Sequence, residues 1–140
     1  MRRKMLKTIE KALLLQEVDF LGFASADHLM QLAEAGGVET FRKGEAIVRE
    51  GDPSLTLYIL LLGEVSEGAG GPALEKTALN LHSCLTGSPQ ERDCVCGQDC
   101  TVLTIATADL LDLLAGEPEL SLALLKYFAS KIQPRGQAPD

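Results

Sequence analysis

Long apolar runs are missing from this sequence of 140 residues. A membrane-spanning helix needs roughly 18 consecutive apolar residues, and no run approaches that length, so the sequence predicts no membrane span. A basic start precedes the three leucines at 13–15, but Glu10 and Glu17 interrupt the apolar core that a secretory signal requires. We therefore expect a cytoplasmic protein.

Positive charge is scarce beyond the first eleven residues. The chain carries a formal net charge of −7, and residues 1–11 hold five basic residues against one glutamate, so residues 12–140 carry −11. A body this acidic repels a phosphate backbone, because nucleic-acid binding depends on lysine and arginine side chains that neutralise phosphates. We therefore expect no nucleic-acid partner.

Catalytic side chains are also few. The sequence has two histidines, His28 and His82, and neither accompanies a nucleophile elbow, a phosphate-loop lysine or a metal-binding helix motif. Nearby acidic pairs such as Glu50 and Asp52 are typical of turns and helix starts, where solvated carboxylates are common. We expect that the protein is not an enzyme and has no cofactor.

Apolar residues are sufficient for one globular domain. Hydrophobic residues make up 46% of the chain and charged residues 24%, which is close to the average of soluble domains. A chain of this length removes about two-thirds of its unfolded surface from water, which suffices for stability without a metal or a disulfide. The four cysteines are therefore not required by the fold.

Helical patterns lie at both ends of the chain. Residues 4–15 predict an amphipathic helix, and a second helix begins after the N-cap candidate Ser25 and stops at the glycines 36–37. Near the C-terminus, Thr107 and Pro118 are typical of two helix starts, and the second helix is expected to reach about Ile132. The apolar face predicted for the first helix consists of Met5, Ile9, Ala12 and Leu13.

Strand patterns fill the middle of the chain. The run at 57–65 is apolar on both sides of the alternation, which predicts a strand covered on both faces. Two further strands are expected near 92–96 and 100–106, and the glycine-rich residues 67–72 predict a loop or hairpin end. Helices, then short strands, then helices indicate a mainly β fold, a small antiparallel barrel or roll closed over by terminal helices.

Residues 41–65, FRKGEAIVREGDPSLTLYILLLGEV, resemble the opening strands of the cyclic-nucleotide-binding domain family. The flanking segments EKALLLQEVDFLGFASADHLMQLAE and VLTIATADLLDLLAGEPELSLALL are similar to the lead-in helix and to the final strand and hinge helices of that family. The resemblance implies an antiparallel β-roll or jelly-roll barrel, a double-stranded β-helix, with N-terminal helices and C-terminal hinge helices. It covers a domain at 8–132. The basic residues of the start mark a lead-in at 1–7, and Pro134, Gly136 and Pro139 predict a flexible tail at 133–140.

The family binds its ligand through a phosphate-binding cassette between the middle strands. There, a glutamate binds the ribose hydroxyl, an arginine binds the cyclic phosphate, and backbone N–H groups at a short helix start surround the oxygens. In this sequence, Leu81 stands where the glutamate would be and Gln90 where the arginine would be. The candidate ligand-binding residues of the corresponding segments are Asn80, Leu81, His82, Ser83, Pro89, Gln90, Glu91 and Arg92.

These departures predict that cAMP and cGMP are not bound in the usual way. The amide of Gln90 carries no charge, and Glu91 would place a carboxylate beside an anion. An alternative is a sensor of a cyclic nucleotide or another small anion, in which Arg92 and His82 supply the missing charge. The competing interpretation pairs Arg92 with Glu91 or Asp93 at the surface and leaves His82 solvated.

The cysteines allow a second alternative, a metal or redox site. Cys94, Cys96 and Cys84 are the candidate ligands, with Cys100 and His82 nearby in the sequence. The Cys-X-Cys-X3-Cys spacing of 94, 96 and 100 is not a common zinc pattern. On a strand, Cys94 and Cys96 share a face. The resemblance implies that this face is the barrel interior, which favours two buried cysteines that act as small hydrophobes.

Together, these observations predict a non-catalytic regulatory or interaction module. Its partner would be another protein or the remainder of a longer chain, and a cyclic nucleotide is the disfavoured ligand. Leu120, Leu124, Tyr127 and Phe128 are candidate contact residues, with the alternative that they cover the mouth of the barrel. The sequence does not determine an oligomeric state.

Overall fold

A computed structural model describes residues 2–68 and 70–132 of the chain. Most strands lie in the middle of the chain and most helices at its ends. The helices are α1 (Thr8–Leu15), α2 (Ala26–Ala35), α3 (Leu81–Thr86), α4 (Thr107–Gly116) and α5 (Pro118–Ser130), with a 3-10 turn at Asp19–Leu21. The strands are β1 (Arg2–Lys4), β2 (Gly37–Phe41), β3 (Ala46–Val48), β4 (Thr56–Leu62), β5 (Val65–Glu67), β6 (Ala73–Leu74), β7 (Cys94–Cys96) and β8 (Cys100–Ala106).

The strands form two antiparallel sheets of four strands each. The first has the order β1-β2-β8-β4 and the second the order β3-β7-β5-β6. One apolar cluster is built from residues of both sheets, so the sheets face each other as a roll. The predicted mainly β fold with flanking helices is confirmed. Within residues 2–68 and 70–132, no ladder joins the two sheets into a closed barrel, so the roll stays open.

The first sheet is covered on both of its faces. On β4, Leu57, Ile59 and Leu61 join a cluster shared with the helices, whereas Leu60 points into the space between the sheets. Successive strand residues point to opposite faces, so one strand serves two cores. The prediction of a doubly covered strand is confirmed, although β4 ends at Leu62, before the predicted boundary.

The first helix is present, but the prediction of which face it buries was wrong. Met5 is 88% exposed, and Ile9 and Leu13 also face solvent, whereas Ala12 and Leu15 are buried. Apolar residues lie on both sides of this short helix, so spacing alone did not determine which side packs on the body.

Part of the predicted N-terminal lead-in forms a strand, because β1 pairs with β2 and Arg2 Nη1 donates to Glu45 Oε1 at 2.9 Å.

The second helix agrees with its sequence signals. Ser25 is the N-cap of α2, and its hydroxyl accepts a hydrogen bond from the backbone N–H of His28 at 3.2 Å. An N-cap side chain of this kind satisfies one of the free N–H groups of the first turn. The predicted apolar face, Leu29, Leu32 and Ala33, is buried.

The C-terminal helices also begin near the predicted positions, but two expected contact residues are wrong. Leu120 and Leu124 are buried in the first core and cannot offer a docking surface. The alternative, that these residues cover the roll, therefore holds for both. The helix α5 ends at Ser130, and the predicted tail at 133–140 lies outside the described residues.

Candidate functional site

A cavity of about 290 Å³ lies beside α3, between the strands and the end of α5. We call it the central cavity. Its volume is at the lower end of the range typical of small-molecule pockets. Of the eight candidate residues from the sequence, seven line it: Asn80, Leu81, His82, Ser83, Gln90, Glu91 and Arg92.

Pro89 is the candidate residue that the structure separates from the others. It lines a second cavity of about 410 Å³, together with the exposed side chains Leu55 and Leu111. The chain therefore changes sides between Pro89 and Gln90. A cyclic ligand in the central cavity would not contact Pro89.

Asn80 anchors the start of α3 to the first sheet. Its Oδ1 accepts from the backbone N–H of Tyr58 at 3.0 Å, and its Nδ2 donates to the carbonyl of Thr56 at 2.7 Å. Both groups of the amide are therefore used within the protein. The next residue, Leu81, is buried in the first core and presents only carbon where the family resemblance expects a ribose-binding carboxylate.

Gln90 is held by the turn before β4. Its backbone N–H donates to the carbonyl of Asp52, and its carbonyl accepts from the N–H of Gly51, both at 2.9 Å. The residue is 6% exposed and faces the central cavity. A neutral amide, and not a cation, therefore occupies the inner wall of the cavity.

Each of the two basic side chains at the mouth of the cavity lies beside a carboxylate. Arg92 Nη1 donates to Glu67 Oε1 at 2.8 Å, and His82 Nδ1 lies 3.1 Å from Glu91 Oε1. The prediction that Arg92 pairs with Glu91 or Asp93 was wrong, because its partner is Glu67. The carboxylate of Asp93 instead accepts from the backbone N–H of Glu50 at 2.7 Å. Glu67 reaches Arg92 because β5 and β7 are paired, with Glu67 opposite Cys94.

Three aromatic side chains also contribute to the cavity wall. Phe20, Tyr127 and Phe128 line the cavity, and the Tyr127 ring makes edge contacts with both phenylalanines at centroid distances of 6.5 and 5.6 Å. The Tyr127 hydroxyl donates to Asp19 Oδ2 at 3.2 Å. Burial and the Asp19 carboxylate raise the pKa of Tyr127, so the hydroxyl keeps its proton and remains a donor.

The sequence did not indicate several of these residues as ligand contacts. Glu67 lies next to the glycine-rich loop, and Phe20 lies in the turn after α1. No local pattern brings either residue to α3, because both reach the cavity through long-range packing. Phe128 was a contact candidate in the sequence, and in the structure it is 37% exposed at the cavity wall.

The cysteines are divided between two cores. Cys84 lies in the core shared with the helices, whereas Cys94, Cys96 and Cys100 lie in the core between the sheets. All four are buried and unpaired. In the part of the chain that the structure describes, no group of three or more histidine, cysteine or acidic side chains could hold a metal ion.

Comparisons with known proteins identify the fold. No protein-family model matches the sequence, and no curated protein matches it either. Solved structures do match. A domain from Methylobacillus flagellatus described as a cyclic nucleotide-binding domain aligns with a TM-score of 0.70 and 20% identity, over 89% of this chain and 77% of that one.

Two further structures are longer than this chain. A protein from Ruegeria pomeroyi described as a cyclic nucleotide binding protein aligns with a TM-score of 0.74 and 12% identity, over 90% of this chain and 60% of its own length. The regulatory domain of Toxoplasma gondii PKA with cAMP aligns with a TM-score of 0.69 and 21% identity, over 89% of this chain and 50% of its own length. The chain therefore has the fold of cyclic nucleotide-binding domains. Identities this low show a shared fold and leave the ligand open.

None of the helices in the described part of the chain combines the length and the apolar character that a membrane span requires.

Proposed function

We propose that this chain is a non-catalytic regulatory or interaction module that does not hold cAMP or cGMP in the usual way. The observation that carries the proposal is the charge of the central cavity. Among the described residues that line it, the Arg92 guanidinium is already paired with the Glu67 carboxylate, and the His82 imidazole lies beside the Glu91 carboxylate. A cyclic phosphate would have to displace one of these carboxylates and lie near both.

The energetic cost supports this proposal. A hydrogen bond to a charged group contributes about 1.5–3 kcal/mol, and the neutral amide of Gln90 offers no such bond to a phosphate. Leu81 offers no acceptor to a ribose hydroxyl, because its side chain is hydrocarbon packed into the core. Like charges that meet without a counter-ion add a further penalty.

The partner of the module is proposed to be another protein or the rest of a longer chain. The chain spans 60% of the Ruegeria pomeroyi structure and 50% of the Toxoplasma gondii structure, so these relatives carry the same fold within longer molecules. The predicted domain boundary at residue 8, the absence of catalysis and of a nucleic-acid partner, and the cytoplasmic location also remain proposals. Four unpaired cysteines are in keeping with a reducing compartment.

Thermal unfolding with added ligand tests the proposal. A ligand present at about 100 times its dissociation constant stabilises the folded state by about 2.7 kcal/mol, which shifts the melting temperature of a domain of this size by several degrees. We expect no shift with millimolar cAMP or cGMP. A shift that disappears in Arg92→Ala would overturn the proposal and favour the anion sensor.

A further inference from the structure

Two uncharged polar side chains are buried against the central cavity without a protein partner. Ser83 is 4% exposed and Gln90 is 6% exposed, and both line the cavity. Within residues 2–68 and 70–132, no hydrogen bond uses the side chain of either residue, in contrast to the neighbouring Asn80. Buried amide and hydroxyl groups are almost always hydrogen bonded. Both side chains line the cavity, so a ligand in the cavity could supply the missing hydrogen bonds.

Neither group is sealed inside the protein. Among the described residues, Gln31 Oε1 is the side-chain atom that is both fully enclosed and without a hydrogen-bond partner, and Gln31 does not line this cavity. The polar side-chain atoms of Ser83 and Gln90 are not fully enclosed in this sense. The hydroxyl of Ser83 and the amide of Gln90 are therefore buried but remain reachable from the cavity. A small molecule inside the cavity could satisfy both.

The side chain of Gln90 determines which chemistry fits. Its amide presents a donor and an acceptor side by side in one plane, and such an amide binds in a bidentate manner to an edge that carries an adjacent acceptor and donor. The two backbone hydrogen bonds of Gln90 to Gly51 and Asp52 hold the residue in place. The Ser83 hydroxyl adds one group that donates or accepts.

Part of the cavity lining is aromatic and apolar, which suits a ring. Tyr127 and Phe128 lie with their centroids 5.6 Å apart, and Leu79 also lines the cavity. Aromatic side chains stack on heterocycles without strong preference among them. The two carboxylates at the mouth, Glu67 and Glu91, oppose a negative charge on the ligand.

We infer that the central cavity binds an uncharged planar heterocycle whose edge carries a donor beside an acceptor, as in an adenine base or an adenine nucleoside without phosphate. Gln90 reads that edge, Ser83 makes the adjacent hydrogen bond, and Tyr127 and Phe128 pack on the ring. This inference rests on the proposed function, because it requires that the cavity rejects a cyclic phosphate.

Three related ligands test the inference on the unmodified chain. Adenosine carries the donor and acceptor edge without charge, purine riboside lacks the exocyclic amino donor, and cAMP adds the cyclic phosphate. We expect saturable binding of adenosine in a calorimetric titration, and binding of purine riboside and of cAMP that is weaker by about tenfold or more.

Matched variants test the assigned residues. Gln90→Met keeps the length of the side chain and removes the amide, so adenosine affinity should fall by about tenfold or more. Gln98→Met is the control, because Gln98 is exposed between β7 and β8 and does not line the cavity. Ser83→Ala should give a smaller loss. Circular dichroism and the melting temperature establish that each variant is folded.

The outcomes separate the inference from the proposed function. Absence of both adenosine and cAMP binding overturns the inference and leaves the proposed function intact. Binding of cAMP as tight as that of adenosine, or tighter, contradicts the proposed function. Equal binding of adenosine and purine riboside refutes recognition of the donor and acceptor edge by Gln90. This comparison uses the unmodified chain, so it remains decisive even if Gln90→Met does not fold.

Discussion

Gly63 links β4 to β5 in a backbone conformation that few other residues adopt. Its φ is +101°, and a Cβ placed there would lie 2.6 Å from the carbonyl oxygen of Asp99 and 2.8 Å from Cys100 Sγ. A left-handed conformation costs a residue with a side chain about 1–2 kcal/mol, and overpacking adds about 1–3 kcal/mol. We predict that Gly63→Ala lowers the free energy of unfolding by more than about 2 kcal/mol, measured by urea denaturation.

Gly44 provides the control for that substitution. Its φ is +89°, but a Cβ at this position would meet nothing within 4 Å. Gly44→Ala should therefore cost only the conformational strain, about 1–2 kcal/mol. Equal losses in the two variants would contradict the close approach of Gly63 to Cys100.

The buried thiols are predicted to be unreactive in the folded protein. Burial is the main cause that raises the pKa of Cys94 to about 11. Burial, followed by the neighbouring Cys100, raises that of Cys96 to about 12. The thiolate is the reactive form, and at pH 8 it is scarce for both residues. Iodoacetamide at pH 8 should label them much more slowly in the native protein than in urea, as followed by mass spectrometry.

The same pKa values predict a loss of stability in alkali. The folded state favours the neutral thiol, so this contribution is complete below about pH 9, the ordinary pKa of a thiol. It is lost as the pH rises through about 11 to 12. Rapid labelling of Cys94 in the native state at pH 8 would contradict the burial of this residue between the sheets.

The cavity residues show what sequence reasoning could and could not give at this scale. The resemblance identified seven of the residues that line the cavity, because they follow one another in two short segments. It did not reveal the Arg92–Glu67 pair, since 25 residues separate the two and only the pairing of β5 with β7 brings them together. The pairing of Arg92 with a carboxylate therefore depends on tertiary structure.

At the scale of the elements, α1 offers the sharpest comparison. Leu15 is 0% exposed and Leu13 is 55% exposed, although they are two residues apart on the same helix. Truncating a fully buried leucine costs about 2–5 kcal/mol, whereas surface substitutions usually stay within about 0.5 kcal/mol. We predict that Leu15→Ala strongly lowers the free energy of unfolding and that Leu13→Ala does not. The reverse order in urea denaturation would support the face predicted from the sequence.

Element prediction succeeded where one periodicity dominated. Ser25 and the glycines after α2 delimited a helix with one apolar face, and the strand β8 matches the predicted residues 100–106. It failed for α1 because leucine and isoleucine occupy several sides of a helix of eight residues. Which side of α1 is buried depends on its packing against α2. The spacing of apolar residues within α1 does not reveal where α2 lies.

At the scale of the whole molecule, one fold accounts for the described chain. One core lies between the two sheets. A second core lies between the outer face of the first sheet and the helices that cover it. The acidic net charge of the body includes Glu67 and Glu91 at the central cavity. The molecule therefore combines the fold of cyclic nucleotide-binding domains with a cavity in which, among the described lining residues, Arg92 is already paired with a carboxylate and His82 lies beside another.

A titration of the unmodified protein with cAMP, followed by the ³¹P NMR signal of the ligand, tests this central claim most directly. The signal reports the environment of the phosphate itself, whereas an effect on melting could arise at any site. We predict that its chemical shift and line width stay those of free cAMP at millimolar concentrations. A saturable change in the phosphorus signal that is lost in Arg92→Ala would contradict the account.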